Sequence, residues 1–394
     1  MPVLSNTLPT TMTHAKRITI VAGEASGDIH AAHLIRQLLA VHPKLIIQGL
    51  GGQHMQAAGA NVLFDLAAYG VTGLTEVLLQ MRVINKAFRI IRASLIQTPP
   101  DLLILIDYPG FNLRLARFAK QRLHLKILYY ISPQIWAWKA NRLHTIKRYV
   151  DRMAVIFPFE KTLYEKAHVP VSFVGHPLVA QIKPLDALTI RRQFNLPSGH
   201  LVAFLPGSRL NEIKYHMPVF IKAMQTIYAH LPAVAFVIPI ASTLPYEKIA
   251  CYVKHLPMQV YLIKGHAQAI AACSNAVVVA SGTASLECAL LQKPMCIVYK
   301  ASLLTYVAAM KLLRVKYIGL CNLLKNRMIV PELLQDDCNA HELSQVVIKL
   351  LTQTAYRNHL TQSLNKLSRE LSLESADISL ADLVCHMLYA KQVC

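Results

Sequence analysis

Asp107 is the residue of this sequence best placed for acid–base chemistry. It directly follows the apolar run Leu102–Ile106 and precedes Tyr-Pro-Gly. Such a run is typical of a buried parallel strand, whose carboxyl end faces the ligand side of an α/β sheet. A carboxylate there can act as a general base, deprotonating a hydroxyl as its oxygen attacks an anomeric carbon. The alternative is that Asp107 caps the next turn, with help from Asn112.

Two glycine turns in the second half of the chain are suited to phosphate. Each joins an apolar run to a helical segment, so free N–H groups and the helix dipole favour an anion there. Arg209 can bind phosphate oxygens in a fork, and Glu287, one turn into the second helix, can accept hydrogen bonds from a ribose. Each turn alone also fits an ordinary β-turn-α unit. The predicted donor-site residues are Gly207, Ser208, Arg209, Ser281, Gly282, Thr283, Ala284 and Glu287.

A second set of candidates lies in the first half of the chain. Three of them belong to a small-residue turn predicted between a strand at 17–23 and a helix at 30–41, where capping of that helix is the alternative role. The two tryptophans of the chain would share one face of an extended loop and line a sugar or acyl pocket, unless they pack beneath it. The candidate acceptor-binding residues are Glu24, Ser26, Gly27, Trp136 and Trp138.

Apolar runs alternate with helical segments along the chain, which predicts an α/β fold of two Rossmann-like, doubly wound domains facing across a cleft. The opening turn lacks G-x-G-x-x-G, so no dinucleotide site is expected. We expect a disordered lead-in at 1–15, an acceptor domain at 16–182, a nucleotide-sugar domain at 183–370, and a C-terminal helix at 371–394. Strands are predicted at 17–23, 44–52, 102–106, 126–131, 151–160, 171–177, 201–205, 235–240, 260–263, 276–280 and 295–299.

A helix predicted between residues 74 and 96 carries two apolar stripes and a stripe of cations. Packing on a sheet needs one apolar stripe, so the second stripe and the cations are suited to a membrane surface. A helix buried under a neighbouring element is the alternative. The residues predicted to contact the membrane are Leu79, Arg82, Val83, Lys86, Arg89 and Ile90.

Charge and composition favour an anionic partner for a cytoplasmic protein. The chain has 41 Lys and Arg against 21 Asp and Glu, a net charge of +20. Such a charge suits lipid headgroups, nucleotide phosphates or nucleic acid, but the reading motifs of RNA-binding modules are absent, so no nucleic acid is expected. No apolar run approaches the roughly 18–20 residues that span a bilayer. The eight cysteines show no zinc spacing, which predicts reduced core residues.

Six short motifs follow one another between residues 16 and 340. They are Val-Ala-Gly-Glu-Ala-Ser-Gly-Asp28, Ile-Asp-Tyr-Pro-Gly-Phe-Asn112, Ser-Pro-Gln-Ile-Trp-Ala-Trp138, Leu-Pro-Gly-Ser-Arg209, Ala-Ser-Gly-Thr-Ala-Ser-Leu-Glu287 and Gly-Leu-Cys-Asn-Leu-Leu324. In this order they resemble the lipid-A-disaccharide synthases, bacterial glycosyltransferases of lipopolysaccharide synthesis with a GT-B fold. Two positions depart from the family's pattern: Ala31 stands where glycine is frequent, and Gly110 where aspartate is common.

The resemblance implies an inverting transfer of diacylglucosamine from UDP-2,3-diacylglucosamine to the 6-hydroxyl of 2,3-diacylglucosamine 1-phosphate (lipid X). The products are UDP and a tetraacyl disaccharide 1-phosphate. It implies that Asp107 is the base, that Arg209 binds the donor diphosphate, and that Glu287 and Asn322 lie around the UDP. It also implies peripheral association with the cytoplasmic face of the inner membrane, with no metal and no cofactor. The resemblance further implies that the C-terminal helix at 371–394 packs back on the first domain. A homodimer is left open.

Two rival functions follow from the same residues. Another GT-B enzyme of UDP-sugars, such as a different transferase or an epimerase, would share the donor site. An epimerase needs paired carboxylates near the donor sugar, and the sequence clearly places only Asp107. A non-catalytic basic protein that binds membrane surfaces would explain the charge, but it leaves Asp107 and Arg209 without a role.

Overall fold

The structure of the protein is a computed structural model that describes residues 15–67, 77–133, 142–182, 185–302 and 316–389. In the first half of these residues, strands alternate with helices. The strands are β1 (Arg17–Ala22), β2 (Ile46–Gly51), β3 (Asn61–Asp65), β4 (Leu102–Ile106), β5 (Ile127–Tyr130), β6 (Arg152–Val155) and β7 (Val171–Phe173). The helices are α1 (Ala25–Val41), α2 (Gln53–Ala57), α3 (Val77–Gln97), α4 (Pro109–Leu123), α5 (Arg142–Tyr149), α6 (Pro158–Lys166) and α7 (Pro177–Gln181).

The second half repeats the alternation and ends in helices. Its strands are β8 (Leu201–Leu205), β9 (Ala235–Ile240), β10 (Val260–Lys264), β11 (Ala276–Ala280), β12 (Met295–Tyr299) and β13 (Glu332–Leu334). Its helices are α8 (Ala187–Gln193), α9 (Leu210–His230), α10 (Glu247–Val253), α11 (Ala267–Cys273), α12 (Thr283–Leu290), α13 (Leu320–Lys325), α14 (Ala340–Thr352), α15 (Thr354–Glu370) and α16 (Leu380–Tyr389), with a 3-10 turn at Leu373–Ser375 before the last.

Both sheets are parallel, and both are doubly wound. The first sheet has the strand order β3-β2-β1-β4-β5-β6-β7 and the second the order β10-β9-β8-β11-β12-β13. In each, the chain starts at a central strand, moves to one edge and then returns to build the other side. The order therefore reverses between β1 and β4 and between β8 and β11, which creates a crevice at the carboxyl ends of these strands. The predicted α/β class with two Rossmann-like sheets is confirmed.

The central strands are the elements that the sequence locates most sharply. Because helices bury the side chains on both faces of these strands, their sequences are unbroken apolar runs. Two strands are missing from the prediction, β3 and β13, and both lie at a sheet edge. The side chains of β3 are exposed or half-buried, and so are two of the three in β13. Edge strands with little buried surface carry no long apolar run.

The turn predicted at Gly23–Asp28, with a helix from His30, is wrong. Helix α1 begins at Ala25, so the small residues form its first turn. The carboxylate of Asp28 is buried and accepts hydrogen bonds of 2.8–3.0 Å from three backbone N–H groups at the start of α2. Asp28 thus caps a neighbouring helix, which is a local reason for an acid in this motif.

The C-terminal segment packs against the first sheet's helices. The helix predicted from residue 371 starts later, because α16 begins at Leu380 after the 3-10 turn. Helix α16 contacts α1, and Lys126 donates a 2.6 Å hydrogen bond to one of its main-chain carbonyls. Before the helix, Asp377 forms a 2.6 Å ion pair with Lys161. These contacts tie the end of the described chain to its first half.

Candidate active site

The predicted functional turns all lie at the two crevices where the strand order reverses. Strands β1 and β4 are neighbours in the first sheet, and β8 and β11 in the second. Glu24 follows β1 and Asp107 follows β4, whereas Gly207 follows β8 and Gly282 follows β11. Ligands of doubly wound proteins bind at this place. The topology therefore gives each sheet one candidate site.

Asp107 is held in a left-handed backbone conformation. Its φ is 45° and that of Tyr108 is 46°, a region that costs roughly 1–2 kcal/mol per non-glycine residue. Its N–H donates to the carbonyl of Tyr130 (3.0 Å). Its carbonyl accepts from Asn112 Nδ2 (2.8 Å) and from the Tyr129 hydroxyl (2.6 Å). Such enforced backbone strain is concentrated at functional sites.

The side chain of Asp107 does not cap the helix that follows. The N-cap residue of α4 is Tyr108, and no side chain caps that helix end. The amide of Asn112 is occupied by main-chain carbonyls, those of Ile106 (3.1 Å) and Asp107. Asn112 therefore positions the Asp107 loop, and the carboxylate is left to other partners.

The electrostatic setting of Asp107 is that of a base. Burial raises the pKa of its carboxyl to about 6, and the negative charge of Glu24 adds to the rise. A hydrogen bond from the Tyr108 backbone and the positive charge of Arg142 oppose that rise in pKa. The loops after β1 and β4 also touch, since a Cβ at Gly23 would lie 2.1 Å from the Tyr108 ring. The sequence shows neither Glu24 nor Arg142 as a neighbour of Asp107.

The predicted acceptor residues fall into three groups. Glu24 and Ser26 are exposed at the start of α1, and no side chain caps this helix. Gly27 is buried, and a Cβ there would lie 3.4 Å from that of Ala22, so this residue packs closely on β1, and its contact with substrate stays a prediction. The two tryptophans, Trp136 and Trp138, lie outside the described residues.

The second crevice contains a cavity of about 310 Å³, within the size range of small-molecule sites. Both predicted phosphate turns contribute to it, although they are more than seventy residues apart in the chain. The cavity also includes Glu212. The predicted donor residues that line it are Gly207, Ser208, Arg209, Ser281, Gly282, Thr283 and Ala284.

Glu212 closes the first of these turns from within. Its Oε2 accepts from the backbone N–H groups of Ser208 (2.8 Å) and Arg209 (3.2 Å), and its Oε1 accepts from Arg209 Nη1 (3.0 Å). Gly207 has φ 112°, and a Cβ there would lie 2.1 Å from Glu212 Oε2. The N–H groups of Ser208 and Arg209, which the sequence analysis expects to bind phosphate, are thus already bonded to Glu212. The Arg209 side chain, 80% exposed, is the group this turn presents to an anion.

His216 fixes the same turn from below, although no motif in the sequence indicates this role. Its ring is fully buried, and Nε2 accepts from the backbone N–H of Lys300 (3.0 Å). Nδ1 therefore carries the proton and donates to the carbonyl of Pro206 (2.7 Å). Burial lowers the pKa of His216, which keeps the ring neutral. A neutral histidine with two backbone partners is a positioning residue.

The second turn is open. Gly282 has φ 150°, and a Cβ there would meet nothing within 4 Å. Both the N–H and the hydroxyl of Ser285 donate hydrogen bonds to the Gly282 carbonyl (3.1 and 2.7 Å). Among the described residues, the N–H groups of Thr283 and Ala284 have no hydrogen-bond acceptor. The amino end of α12 therefore offers free donors to an anion.

Two further predicted donor residues do not line this cavity. Glu287 is half-buried on α12, and burial raises the pKa of its carboxyl. Asn322 is fully buried, and its amide donates to Glu332 Oε1 (2.7 Å) and to the carbonyl of Val330 (2.8 Å), while its oxygen accepts from two backbone N–H groups. All four of its hydrogen-bonding positions are used, so its side chain supports a loop, and its place around the UDP stays a prediction.

Helix α3 buries one stripe and exposes its cations. Ala87, Ile91 and Leu95 are fully buried against the first sheet. The described side chains of the second apolar stripe are half-buried. They are therefore neither fully exposed, as membrane contact predicts, nor fully buried, as packing under a neighbouring element predicts. Within the described ranges, no helix combines the length and apolarity needed to cross a bilayer. Of the predicted membrane residues, Val83 and Ile90 are half-buried, Arg82, Lys86 and Arg89 are exposed, and the side chain of Leu79 lies outside the described residues.

Solved structures with a similar fold include both transferases and epimerases. The calicheamicin glycosyltransferase CalG4 aligns with a TM-score of 0.61 at 14% identity, covering 97% of this chain and 100% of that one. A putative UDP-N-acetylglucosamine 2-epimerase from Listeria monocytogenes aligns with a TM-score of 0.58 at 13% identity, covering 90% and 94%. The two confirm the GT-B fold. At this identity they do not choose between the reactions.

The sequence comparisons are more specific than the fold. The chain matches the family described as lipid-A-disaccharide synthetase over residues 18–384. Lipid-A-disaccharide synthase 1 of Legionella pneumophila (strain Lens) is 52% identical over 382 residues, which cover 96% of this chain and 100% of the relative. Since both matches extend over nearly the whole chain, this protein belongs to the lipid-A-disaccharide synthetase family.

Proposed function

We propose that this protein transfers diacylglucosamine from UDP-2,3-diacylglucosamine to the 6-hydroxyl of 2,3-diacylglucosamine 1-phosphate. Membership of the lipid-A-disaccharide synthetase family supports the reaction. The observation that carries the assignment of residues is that each sheet has a crevice with its own chemistry. One presents Asp107, whose carboxyl has a pKa raised to about 6 by burial, and the other presents free N–H groups and Arg209 to an anion.

Asp107 is the general base of the proposed reaction. Its carboxylate accepts the proton of the acceptor's 6-hydroxyl while that oxygen bonds to the anomeric carbon of the donor. Near neutral pH a carboxyl with a pKa of about 6 is mostly ionised, and it is a stronger base than an ordinary aspartate. The repulsion from Glu24 sustains that basicity.

The donor cavity stabilises the leaving group. As the bond between the anomeric carbon and the diphosphate oxygen breaks, negative charge develops on UDP. The guanidinium of Arg209 and the free N–H groups at the start of α12 are placed to bind that charge. The entering oxygen attacks opposite the departing one, so the configuration of the anomeric carbon inverts. Glu287 accepts a hydrogen bond from the ribose in this proposal.

Helix α3 is the proposed contact with the membrane that holds both lipid substrates. Its exposed cations Arg82, Lys86 and Arg89 attract anionic headgroups, and the half-covered Val83 and Ile90 insert beside them. Replacing the two apolar residues by serine should release the full-length protein from vesicles containing phosphatidylglycerol. Retained binding together with a lowered melting temperature would instead identify a packing stripe.

The reaction is tested with the purified full-length protein and short-acyl forms of both substrates. We expect equal amounts of UDP and of the disaccharide 1-phosphate, detected by mass spectrometry. Formation of an epimerised UDP-sugar without disaccharide would point to the rival enzyme class. Absence of any turnover of the donor would contradict the proposal.

A further inference from the structure

A cationic cavity lies beside the Asp107 loop, on the first sheet and apart from the donor site. It has a volume of about 470 Å³ and is open to solvent between α4 and α5. Gly110 forms part of its wall. The basic residues that line it are Arg114, Arg117, Arg142, His144 and Arg148.

Asp107 interacts with Arg142 of this cavity, but the four guanidinium groups exceed that single negative charge. Helices α4 and α5 contain no acidic residue. Within the described part of the chain, none of the four arginines forms an ion pair. Arg114 lies over the Phe88 ring at 5.0 Å, and Arg117 has one bond of 3.3 Å to Gln121. Both contacts leave most guanidinium N–H groups free.

Four guanidinium groups that line one cavity are suited to a doubly charged oxyanion. The planar fork of arginine matches the oxygens of a phosphate, and charge-assisted hydrogen bonds of this kind are the strongest in proteins. A carboxylate would satisfy one fork and leave the others without a partner. The chemistry of the cavity therefore favours a phosphomonoester.

The cavity and the proposed base belong to one site. Gly110 lies three residues after Asp107, and the charge of Arg142 acts on the Asp107 carboxyl. In a glucosamine 1-phosphate, C1 carries the phosphate and C5 carries the CH2OH group with the 6-hydroxyl, and these two carbons flank the same ring oxygen. A sugar with its 6-hydroxyl at Asp107 therefore has its phosphate one ring away, on a neighbouring wall.

We propose that this cavity, which we call the arginine cavity, binds the 1-phosphate of the acceptor and so orients the 6-hydroxyl toward Asp107. The inference rests on the proposed function and adds the residues that recognise the acceptor. Because the arginine cavity binds this phosphate, the protein prefers phosphorylated acceptors to phosphate-free ones. Membrane phospholipid headgroups have similar chemistry, and the experiment separates the two sources.

The test compares two acceptors, short-acyl diacylglucosamine with and without the 1-phosphate, in the absence of vesicles. The variant is R117Q/R148Q, which removes two exposed charges of the arginine cavity. The matched control is R122Q/K147Q, which removes two exposed charges from the same two helices outside the cavity. Neither pair includes a residue in contact with Asp107.

We expect the cavity variant to raise KM for the phosphorylated acceptor by about tenfold or more, since a hydrogen bond to a charged group contributes about 1.5–3 kcal/mol. Its KM for the donor and its rate with the phosphate-free acceptor should stay unchanged, and the control should behave as wild type. An equal loss with both acceptors, or no loss with either, would overturn the proposal. Lost binding to phosphatidylglycerol vesicles with unchanged acceptor selectivity would assign the cavity to headgroups and also overturn it.

A binding measurement keeps this inference separate from the proposed reaction. If wild type forms no disaccharide, the proposed function fails, but titration calorimetry with glucosamine 1-phosphate and glucosamine still tests the cavity. We expect binding of the phosphorylated sugar only, and its loss in R117Q/R148Q. Equal affinity of wild type for the two sugars would refute the arginine cavity as a phosphate site.

Discussion

The loops after β4 and β11 begin alike and end with opposite electrostatic preferences. Each follows a fully buried five-residue strand at a reversal of strand order, and each leads into a helix. After β4, a left-handed non-glycine backbone presents a carboxylate beside a second acid, Glu24. After β11, Gly282 turns the chain so that the amino end of α12 is open. The topology supplies a position, and the residues in the loop decide whether it accepts a proton or an anion.

The loop after β8 lies between these extremes. It follows the same type of strand, yet Glu212 occupies two of its N–H groups and leaves the Arg209 guanidinium exposed. An anion in the donor cavity would therefore meet a side-chain charge on one wall and backbone donors on the other. The two phosphate turns, which look equivalent in the sequence, have different roles.

The largest effect on activity is expected from removing the proton acceptor. Asp107→Asn should lower kcat for disaccharide formation by about 10²–10⁴-fold, the usual contribution of general-base catalysis. The matched control is Asp101→Asn at the opposite end of β4, where the side chain forms an exposed ion pair with Lys16. Steady-state kinetics of the two variants provide the test. Similar losses in both would mean that the effect is structural.

The next largest effect on activity is expected in the donor cavity, at the loop after β8. Arg209→Ala should lower kcat/KM for the donor by about 10²–10³-fold, as expected for the loss of one group that stabilises a developing anion. Arg209→Lys keeps the charge without the fork and should recover part of the loss. Donor titrations at saturating acceptor measure both. Unchanged kinetics in the alanine variant would place the diphosphate elsewhere.

The raised pKa of Asp107 also predicts a gain in stability when the acid is removed. Because the folded-state pKa of about 6 lies above the ordinary value of 3.8, the folded protein binds a proton that the unfolded chain releases in this window. Stability therefore falls as pH rises from about 4 to 6. Asp107→Asn should stabilise the fold at pH 8 by about 3 kcal/mol at most, and hardly at pH 4. Urea unfolding at both pH values checks the difference.

A smaller effect compares the two glycines of the donor cavity. Both have a φ that disfavours a side chain, which costs about 1–3 kcal/mol. Gly207→Ala should be the more destabilising, because its Cβ also collides with Glu212, whereas Gly282→Ala meets open space. Gly110→Ala, without a positive φ or a near neighbour, is the control. Equal free energies of unfolding for the first two would contradict the contact with Glu212.

The sequence predicts the positions of the loops better than their contacts. Buried strands such as Leu102–Ile106 and Ala276–Ala280 are continuous apolar runs, so the sequence predicts where they end and where the next turns begin. The closure by Glu212 had a local signal, an acid three residues into a helix. The support by His216, the repulsion by Glu24 and the charge of Arg142 depend on which loops become neighbours in the sheet. No spacing along the chain encodes that.

In the proposed reaction, the loop after β4 holds a base whose strength depends on Glu24. This role of Glu24 is tested by the pH dependence of kcat/KM for disaccharide formation by wild type and Glu24→Gln. Because Asp107 must be ionised to accept a proton, the rate should rise with pH through an apparent pKa near 6. Removing the neighbouring negative charge should move this rise to lower pH. A profile without a rise near pH 6, or one that Glu24→Gln leaves in place, would contradict the account.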